Sequence, residues 1–159
     1  MDAAAEAATR RQGLAPGDFL PFEAGWPQLR DGYLKALRDF EQAHGARYHR
    51  GEQDAAAGLG PVRLIGRIDR IDRLADGTRV VMDYKTESMD TTRQRVKDPL
   101  EDTQLAFYAA LLGDEQLQAF YVNVGERGET HFVAQPDVDA ARDALVAGIL
   151  DDLRRIGEG

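Results

Sequence analysis

L-I-G-R-I-D-R-I-D-R-L-A-D-G-T-R-V-V-M-D-Y-K-T, residues 64 to 86, is the most informative stretch of this 159-residue chain. It predicts two strands joined by a turn, because β-branched and apolar residues stand on either side of Asp76-Gly77. The Asp-Gly pair is a strong hairpin signal, since both residues tolerate the backbone conformation that a tight turn needs. A β-hairpin is therefore expected here.

Charged side chains converge at one edge of the predicted hairpin. Asp83 and Lys85 are two apart in a strand, so both project from one face while Tyr84 projects from the other. The hairpin also brings Asp69 of the first strand beside them. Carboxylates at close range repel each other and lose solvation, and a divalent cation relieves that cost.

A divalent cation at this point suggests a reaction. Carboxylate oxygens suit Mg²⁺ or Mn²⁺, and a Mg²⁺ site typically uses one or two carboxylates together with water and substrate phosphate. Such an ion polarises a phosphoryl oxygen and lowers the pKa of a bound water, while a nearby lysine orients that water or neutralises developing charge. The pattern favours hydrolysis of a phosphodiester.

Three motifs in a fixed order carry a resemblance to a known family. G-R-I-D-R-I-D at 66–72 is followed by V-V-M-D-Y-K-T at 80–86, and then by Q-L-A-F-Y at 104–108. In this order they resemble the nuclease domain of the RecB and AddB group within the PD-(D/E)xK superfamily. The resemblance covers roughly residues 47 to 125. It implies a restriction-endonuclease-like nuclease core, and Mg²⁺- or Mn²⁺-dependent cleavage of DNA, single-stranded or at a duplex end, in repair or recombination.

The resemblance also implies roles for particular residues. It makes Asp69 and Asp83 metal ligands, the main-chain carbonyl of Tyr84 a further ligand, and Lys85 the catalytic lysine. Exonuclease action is the expected mode.

Further site residues follow from the same resemblance. Gln104 and Tyr108 match the glutamine and tyrosine signature on the helix that follows, and one turn of spacing places them on one helix face. Glu52 is the candidate for the acidic residue that the family places upstream of the first aspartate. An exposed surface glutamate explains Glu52 about as well.

One departure from the family pattern concerns histidine. Family members usually carry a histidine on a helix well before the upstream acidic residue, whereas His44 and His49 lie too near Glu52 to match it. We therefore expect an irregular segment over 1–25, or the tail of a truncated helix, and a nuclease domain over 26–159. The domain would be a C-terminal fragment of a larger protein, with a helicase-like region in the same or a partner polypeptide.

Composition fits a soluble globular domain of one-domain length. Hydrophobic residues make up 43% of the chain and charged residues 30%, which is ordinary for a globular protein. The chain has no cysteine, so disulfides, zinc-thiolate sites and iron–sulfur clusters are excluded. No apolar run approaches a membrane span, and a cytoplasmic protein is the default expectation.

The charge distribution bears on nucleic-acid binding. A net charge of −8 argues against a general nucleic-acid binder, because phosphate affinity comes largely from basic side chains. Residues 61–97 nevertheless contain nine basic and six acidic side chains, a local balance of +3. Arg93, Arg95 and Lys97 stand in a polar stretch, predicted as a loop, that contacts substrate phosphates or is simply solvated.

The order of elements predicts an α/β domain with a mixed central β-sheet flanked by helices. Helices are expected from Pro27 to Gly45, from Pro99 to Gly113 and from Pro136 onward. Strands are expected over 46–57, 118–124 and 129–134, in addition to the hairpin.

Two functions from different classes remain open. The first is a metal-dependent DNA nuclease. The second is a nuclease-fold module without catalysis that holds DNA or assembles a helicase complex, which the acidic balance and the missing histidine favour. An acidic interaction domain ranks last, because it requires three ordered motif matches by chance.

Overall fold

The structure is a computed structural model that describes residues 3–15, 18, 23–98, 100–114 and 116–158. Its centre is one five-stranded sheet in which the strands lie in sequence order. All neighbouring strands are antiparallel except β3 and β4, which are parallel. The strands are β1 (Arg47–Leu59), β2 (Val62–Arg73), β3 (Arg79–Lys85), β4 (Leu117–Val124) and β5 (Thr130–Ala134).

Five helices of the described residues accompany the sheet. They are α1 (Ala3–Arg11), α2 (Trp26–His44), α3 (Met89–Arg95), α4 (Gln104–Leu112) and α5 (Val138–Glu158). Together with the sheet they confirm the predicted α/β class with a mixed central sheet flanked by helices. No helix in the described ranges combines the length and apolar character that crossing a membrane requires.

The predicted hairpin is confirmed as the β2–β3 pair. Arg70 pairs with Met82 and Arg73 with Arg79, and the connection spans residues 74–78. Within it Thr78 N donates to Asp76 Oδ1 at 2.9 Å, and Gly77 adopts a φ of 91°. That left-handed conformation favours glycine, which explains the Asp-Gly signal.

Hydrophobic side chains bury both faces of the sheet. On one face α4 and α5 pack over a core that includes Val81, Leu105 and Tyr121. On the other face α2 covers a smaller core around Phe40, Met82 and Phe120. Because both faces are covered, β3 and β4 read as nearly continuous apolar runs rather than alternating ones.

The strand β2 departs from regular alternation near the middle of its length. Ile68 and Ile71 are three apart, yet both pack into the core beneath α4. In a regular strand they would face opposite sides. Earlier in β2, a Cβ on Gly66 would lie 2.9 Å from Leu111 Cδ1 and 3.0 Å from Phe107 Cε1. Glycine at this position therefore lets α4 approach the sheet closely.

The structure bears on three sequence predictions of local structure. Of the two alternatives expected for 1–25, residues 3–11 show the helical one, α1, while residues 1, 2, 16, 17 and 19–22 of that segment lie outside the described ranges. The stretch after Thr86 contains the helix α3 rather than only a loop, since Ser88 Oγ accepts a hydrogen bond from Thr91 N and caps it.

The third prediction concerns the start of α4. That helix begins at Gln104 rather than at Pro99, which itself lies outside the described residues. Leu100 is exposed instead of facing the core. The end is as predicted, because Gly113 terminates the helix in the left-handed conformation with a φ of 65°.

Candidate functional site

The candidate site lies where β2 and β3 separate. Their backbone pairing runs from Arg73↔Arg79 to Arg70↔Met82. Just beyond that point Asp69 Oδ2 accepts a hydrogen bond from Tyr84 N at 3.1 Å, where a backbone carbonyl would otherwise pair. The site therefore lies where the backbone pairing of β2 and β3 ends and a side chain, that of Asp69, accepts the hydrogen bond of a backbone N–H.

A group of four polar side chains, named here the site cluster, meets on the α4 face of β3. Strand alternation directs Asp83 and Lys85 to this face, and helical spacing supplies the two partners from the first turns of α4. The structure thus brings together four of the residues singled out in the sequence. The site cluster consists of Asp83, Lys85, Gln104 and Tyr108.

The carboxylate of Asp83 is the centre of this cluster and is only 2% exposed. Its Oδ1 accepts hydrogen bonds from Gln104 Nε2 and, at 3.1 Å, from the Tyr108 hydroxyl. Its Oδ2 is buried, and no donor of the described residues is aligned on it for a hydrogen bond. Lys85 Nζ lies 2.7 Å from Oδ2 as an ion-pair partner. One buried carboxylate oxygen thus retains free acceptor capacity.

Lys85 is held from several directions. Its Nζ donates to Gln104 Oε1 at 2.6 Å and lies 5.2 Å from the centre of the Tyr121 ring. The amide of Gln104 therefore bridges the lysine and Asp83, since its nitrogen donates to the carboxylate. Such a bridge fixes the direction of the ammonium group at the mouth of the site.

Burial and the second carboxylate set the protonation behaviour of the cluster. Burial raises the pKa of Asp83 above its ordinary value, and the charge of Asp69 adds to the rise, while Lys85 and the Tyr108 hydroxyl oppose it. Burial also raises the pKa of Tyr108. The tyrosine hydroxyl is therefore protonated at neutral pH and acts as a donor to the carboxylate.

The structure does not bring Glu52 into the site cluster. Glu52 lies on β1 between the pairs Gly51↔Arg70 and Gln53↔Ile68, with a φ of 51°. Its carboxylate pairs with Arg67 at 2.7 Å, and its side chain is 67% exposed. A left-handed residue inside a strand directs its side chain away from the regular alternation. Sequence spacing alone gives no sign of this conformation.

Among the basic side chains predicted to contact phosphate, Arg95 is already engaged within the protein. It donates to Glu87 at 2.6 Å and also to Asp102. Tyr121 donates to the other oxygen of Asp102 at 2.7 Å. This network ties α3 and the start of α4 to β4, beneath Lys85.

Sequence reasoning missed the residues of that supporting network. Asn123 of β4 donates to the main-chain carbonyl of Glu87 at 2.9 Å and to the buried hydroxyl of Thr92 at 2.8 Å. Glu87 and Asp102 gave no signal, because isolated carboxylates in polar stretches usually face solvent. The serine at position 88 was the available clue, since serine caps helices.

The residues present fit a hard divalent cation. Asp69 and Asp83 supply carboxylate oxygens close enough for the charge of one to raise the pKa of the other, and the buried Asp83 Oδ2 has only the Lys85 ammonium beside it. One or two carboxylates suffice for Mg²⁺, which keeps several waters. In the described part of the chain no group of three acidic or histidine side chains converges as a metal site. The donor set is therefore of the open kind that leaves positions for water and substrate.

Comparison with known proteins gives one match that spans the sequence. No curated protein matches the chain. A family model described as the PD-(D/E)XK nuclease superfamily matches residues 1–159. The match covers the whole chain and includes the D-Y-K triplet and the separated strands around it. The chain belongs to the PD-(D/E)XK nuclease superfamily, whose members are generally metal-dependent nucleases.

Proposed function

We propose that this protein is a metal-dependent DNA nuclease. The observation that carries the proposal is the state of Asp83, a buried carboxylate whose pKa is raised by burial and by the charge of Asp69. Its Oδ2 has the ammonium of Lys85 beside it at 2.7 Å and no other donor among the described residues. Two carboxylates close together in a buried place cost free energy, and a bound divalent cation relieves that cost.

Asp69 and Asp83 would hold the cation, with the carbonyl of Tyr84 as a third ligand. Mg²⁺ or Mn²⁺ bound there would polarise the scissile phosphate and acidify a water molecule. The hydrogen bond from Tyr84 N fixes the carboxylate of Asp69 beside β3, where its charge raises the pKa of Asp83. This hydrogen bond supports the assignment, since ligating carboxylates are themselves fixed by hydrogen bonds.

The remaining side chains of the site cluster act on the substrate and the nucleophile. Lys85 would position the attacking water or stabilise charge on the phosphate, and its bond to Gln104 sets its direction. Tyr108 and Gln104 both donate to Asp83 Oδ1. They leave the other oxygen for the cation and hold the carboxylate in a single orientation. The two residues would also orient the substrate.

The finer assignment rests on the three ordered motifs. Their likeness to the RecB and AddB group supports exonuclease action in DNA repair or recombination, on single strands or duplex ends. It also supports work alongside a helicase-like region of the same or a partner polypeptide. Cleavage of a terminally labelled and an internally labelled duplex distinguishes an exonuclease from an endonuclease.

The test compares wild type with Asp83→Ala and Lys85→Gln. Because changes next to metal ligands already cost about 10- to 100-fold, cleavage should fall at least ~100-fold in Asp83→Ala. Mn²⁺ binding followed by calorimetry should vanish in that variant and persist in Lys85→Gln. Matched controls are Asp39→Ala and Lys35→Ala, an exposed ion pair on α2, which should cleave as wild type does. Mn²⁺-dependent cleavage that survives Asp83→Ala would contradict the proposal.

A second candidate function is a catalytically silent module that holds DNA or assembles a helicase complex. The observation in its favour is that Glu52 pairs with Arg67 and does not join the two aspartates. The second function predicts that the wild-type protein does not bind Mn²⁺ and does not cleave DNA in Mg²⁺, but still binds labelled DNA.

A further inference from the structure

Arg95 of α3 joins two carboxylates that come from separate parts of the chain, Glu87 and Asp102. Its Nε and Nη2 donate to the two oxygens of Glu87, both at 2.6 Å, and its Nη1 donates to Asp102. The three residues are named here the arginine bridge. The edge with which an arginine binds phosphate oxygens in pairs is therefore occupied by Glu87. This favours a role for Arg95 within the protein over contact with substrate phosphate.

The two carboxylates of the arginine bridge lie close in sequence to the site cluster. Glu87 follows Lys85 by two residues, and Asp102 precedes Gln104 by two. Two residues of chain span at most about 7 Å. The bridge therefore lies near the hydrogen bond that Lys85 Nζ donates to Gln104 Oε1 at 2.6 Å. It fixes the separation between the end of β3 and the start of α4, on which that hydrogen bond depends.

Asp102 also holds the first residue of α4 and the ring beneath Lys85. Its Oδ1 accepts hydrogen bonds from Gln104 N at 3.3 Å and from the Tyr121 hydroxyl at 2.7 Å. Tyr121 is fully buried, and its ring centre lies 5.2 Å from Lys85 Nζ. It is also the register partner of Asp83 on β3. One carboxylate thus fixes both the backbone that carries Gln104 and the ring against which the ammonium rests.

The charge of Arg95 keeps Glu87 from competing for Lys85. The hydrogen bond from Arg95 is the largest cause of the lowered pKa of Glu87, and the charge of Lys85 contributes a smaller part. Glu87 is therefore ionised at neutral pH and lies within electrostatic reach of the lysine. Without the guanidinium, this carboxylate would attract the ammonium away from Asp83.

We infer that Arg95 is a positioning residue of the proposed nuclease, which keeps Lys85 and Gln104 in contact beside Asp83 through the arginine bridge. The inference rests on the proposed function and deepens it, because it assigns what holds the catalytic lysine in place. The hydrogen-bond partners of Arg95 are not members of the site cluster, so Arg95 acts on cleavage through them. Positioning predicts a loss of turnover, whereas phosphate contact predicts a loss of DNA affinity.

The experiment compares Arg95→Met with Arg79→Met. Arg79 is a matched control, because it also donates through two nitrogens to one carboxylate, that of Asp114 just past the other end of α4. Its side chain is 28% exposed, against 31% for Arg95. The values of kcat and KM are measured on a fluorescein-labelled single strand in Mg²⁺. Affinity for the same strand is measured in EDTA at several salt concentrations, and each variant is melted thermally.

In Arg95→Met we expect kcat to fall about 10- to 100-fold, while KM and the salt slope of binding stay unchanged. Arg79→Met should lose a similar amount of thermal stability and keep the wild-type kcat. An unchanged kcat in Arg95→Met, or an equal loss of kcat in Arg79→Met, would overturn the inference. So would a higher KM with a salt slope reduced by about 0.7, the contribution of one phosphate contact to a single strand. If Arg95→Met does not fold, Arg95→Lys should show the same pattern, since it keeps the charge but not the planar fork.

A double variant tests whether Arg95 acts through Gln104. Gln104→Ala already removes the acceptor of Lys85. Adding Arg95→Met to Gln104→Ala should therefore lower kcat by less than ~2-fold more, because residues that share one contact are not additive. If the two losses of kcat multiply instead, Arg95 acts elsewhere and the inference is overturned.

The ammonium signal of Lys85 separates this inference from the proposed nuclease function, because it needs no cleavage. The chain has three lysines, and Lys35 and Lys97 are exposed, whereas the Lys85 side chain is 16% exposed. Ammonium protons that are hydrogen bonded and shielded from water exchange slowly, so in ¹⁵N-labelled protein in EDTA Lys85 should give the ammonium signal, and Lys85→Gln should remove it.

The same signal should persist in Arg79→Met and disappear in Arg95→Met. An unchanged signal in Arg95→Met would overturn the inference whether or not the protein cleaves DNA. Wild type that shows the expected pattern but never cleaves supports the positioning role and contradicts the nuclease. Wild type that cleaves, with kcat and the ammonium signal unaltered in Arg95→Met, supports the nuclease and overturns the positioning role.

Discussion

The two faces of the β2–β3 pair carry polar clusters that differ in how their buried carboxylate is hydrogen bonded. On the α4 face, the buried Oδ2 of Asp83 has the ammonium of Lys85 beside it at 2.7 Å and no aligned hydrogen-bond donor among the described residues. On the α2 face, a second group, named here the rear cluster, has no buried side-chain atom without a partner among the described residues. The rear cluster consists of Arg70, Asp72, Tyr33, Glu41 and Tyr84.

The rear cluster is satisfied around one arginine. Arg70 donates to both oxygens of Asp72 at 2.8 and 2.9 Å, and to Glu41 at 3.1 Å. Burial opposes the charge of Arg70, but the hydrogen bond to Asp72 outweighs it and raises the arginine pKa. A network of this kind holds α2 on the sheet, whereas Asp83 has aligned donors on Oδ1 only and can accept a further ligand at Oδ2, beside the Lys85 ammonium. The two clusters thus differ in how the buried carboxylate is bonded, at both oxygens in Asp72 and at one in Asp83.

The largest effect on this comparison should come from Arg70→Met. Removing one partner leaves the fully buried Asp72 uncompensated, and such a loss typically costs 3–5 kcal/mol, so we expect a destabilisation of about that size. Urea denaturation measures it. The double variant Arg70→Met, Asp72→Val should recover much of the loss, because apolar residues of similar volume often replace a buried ion pair well. A loss below ~1 kcal/mol in Arg70→Met would show that the rear cluster is not structural.

The site cluster should respond in activity instead. Gln104→Ala removes a donor to Asp83 and the acceptor of Lys85. Cleavage or Mn²⁺ affinity should fall about 10- to 100-fold, while the free energy of unfolding should change by less than ~1 kcal/mol. The control is Gln118→Ala on the exposed side of β4, which should leave cleavage unchanged. A large loss of stability without a loss of cleavage would reverse the roles of the two clusters.

Local periodicity predicted much of this site and explains which parts it missed. Asp83 and Lys85 share a face by strand alternation, and Gln104 and Tyr108 share one by helical spacing, so the sequence could bring them together. Each of these relations spans only a few residues of one element. The order of the motifs, and the family resemblance it carries, then predicted that β3 and α4 contribute to the same site. The fold class followed from the same order of strands and helices.

The missed features depend on contacts between distant parts of the chain. The helix α3 is polar and seven residues long, so it shows no apolar period, and it is held by Asn123 through Thr92 and by Asp102 through Arg95. Glu52 of β1, with a φ of 51°, lies opposite the part of β2 between Ile68 and Arg70, where that strand departs from regular alternation. Neither feature follows from spacing, because both are properties of the packed sheet.

A smaller change tests whether the two clusters are coupled through Tyr84. The hydroxyl groups of Tyr33 and Tyr84 are 2.7 Å apart on the rear face, while the backbone N–H of Tyr84 holds Asp69 on the other. Tyr33→Phe removes this hydrogen bond and the one that Arg70 Nη1 donates to the Tyr33 hydroxyl at 3.3 Å, and it should cost about 1–2 kcal/mol. Cleavage should change by less than ~2-fold if the clusters are independent. A tenfold loss of cleavage with the same small loss of stability would show that α2 positions the metal ligand.

The smallest expected effect is a loss of stability in acid. The carboxylates bonded to Arg95 have lowered pKa values, whereas the pKa of Asp83 in the site cluster is raised. The hydrogen bond from Arg95 lowers the pKa of Glu87 from its ordinary 4.5. For Asp102 burial acts in the opposite direction, but Tyr121 and Arg95 outweigh it and the pKa is lowered from 3.8. A lowered pKa in the folded state contributes stability that is present above the unfolded value and lost as the pH falls through the folded value.

Thermal melts should therefore show no loss of stability from the Arg95 network between pH 7 and about 5, and a progressive loss below about 4.5. Arg95→Gln should flatten that decline, because both carboxylates then titrate nearer their unfolded values. An equally steep decline in Arg95→Gln would assign the acid sensitivity to other groups and remove the contrast with Asp83, whose pKa is raised.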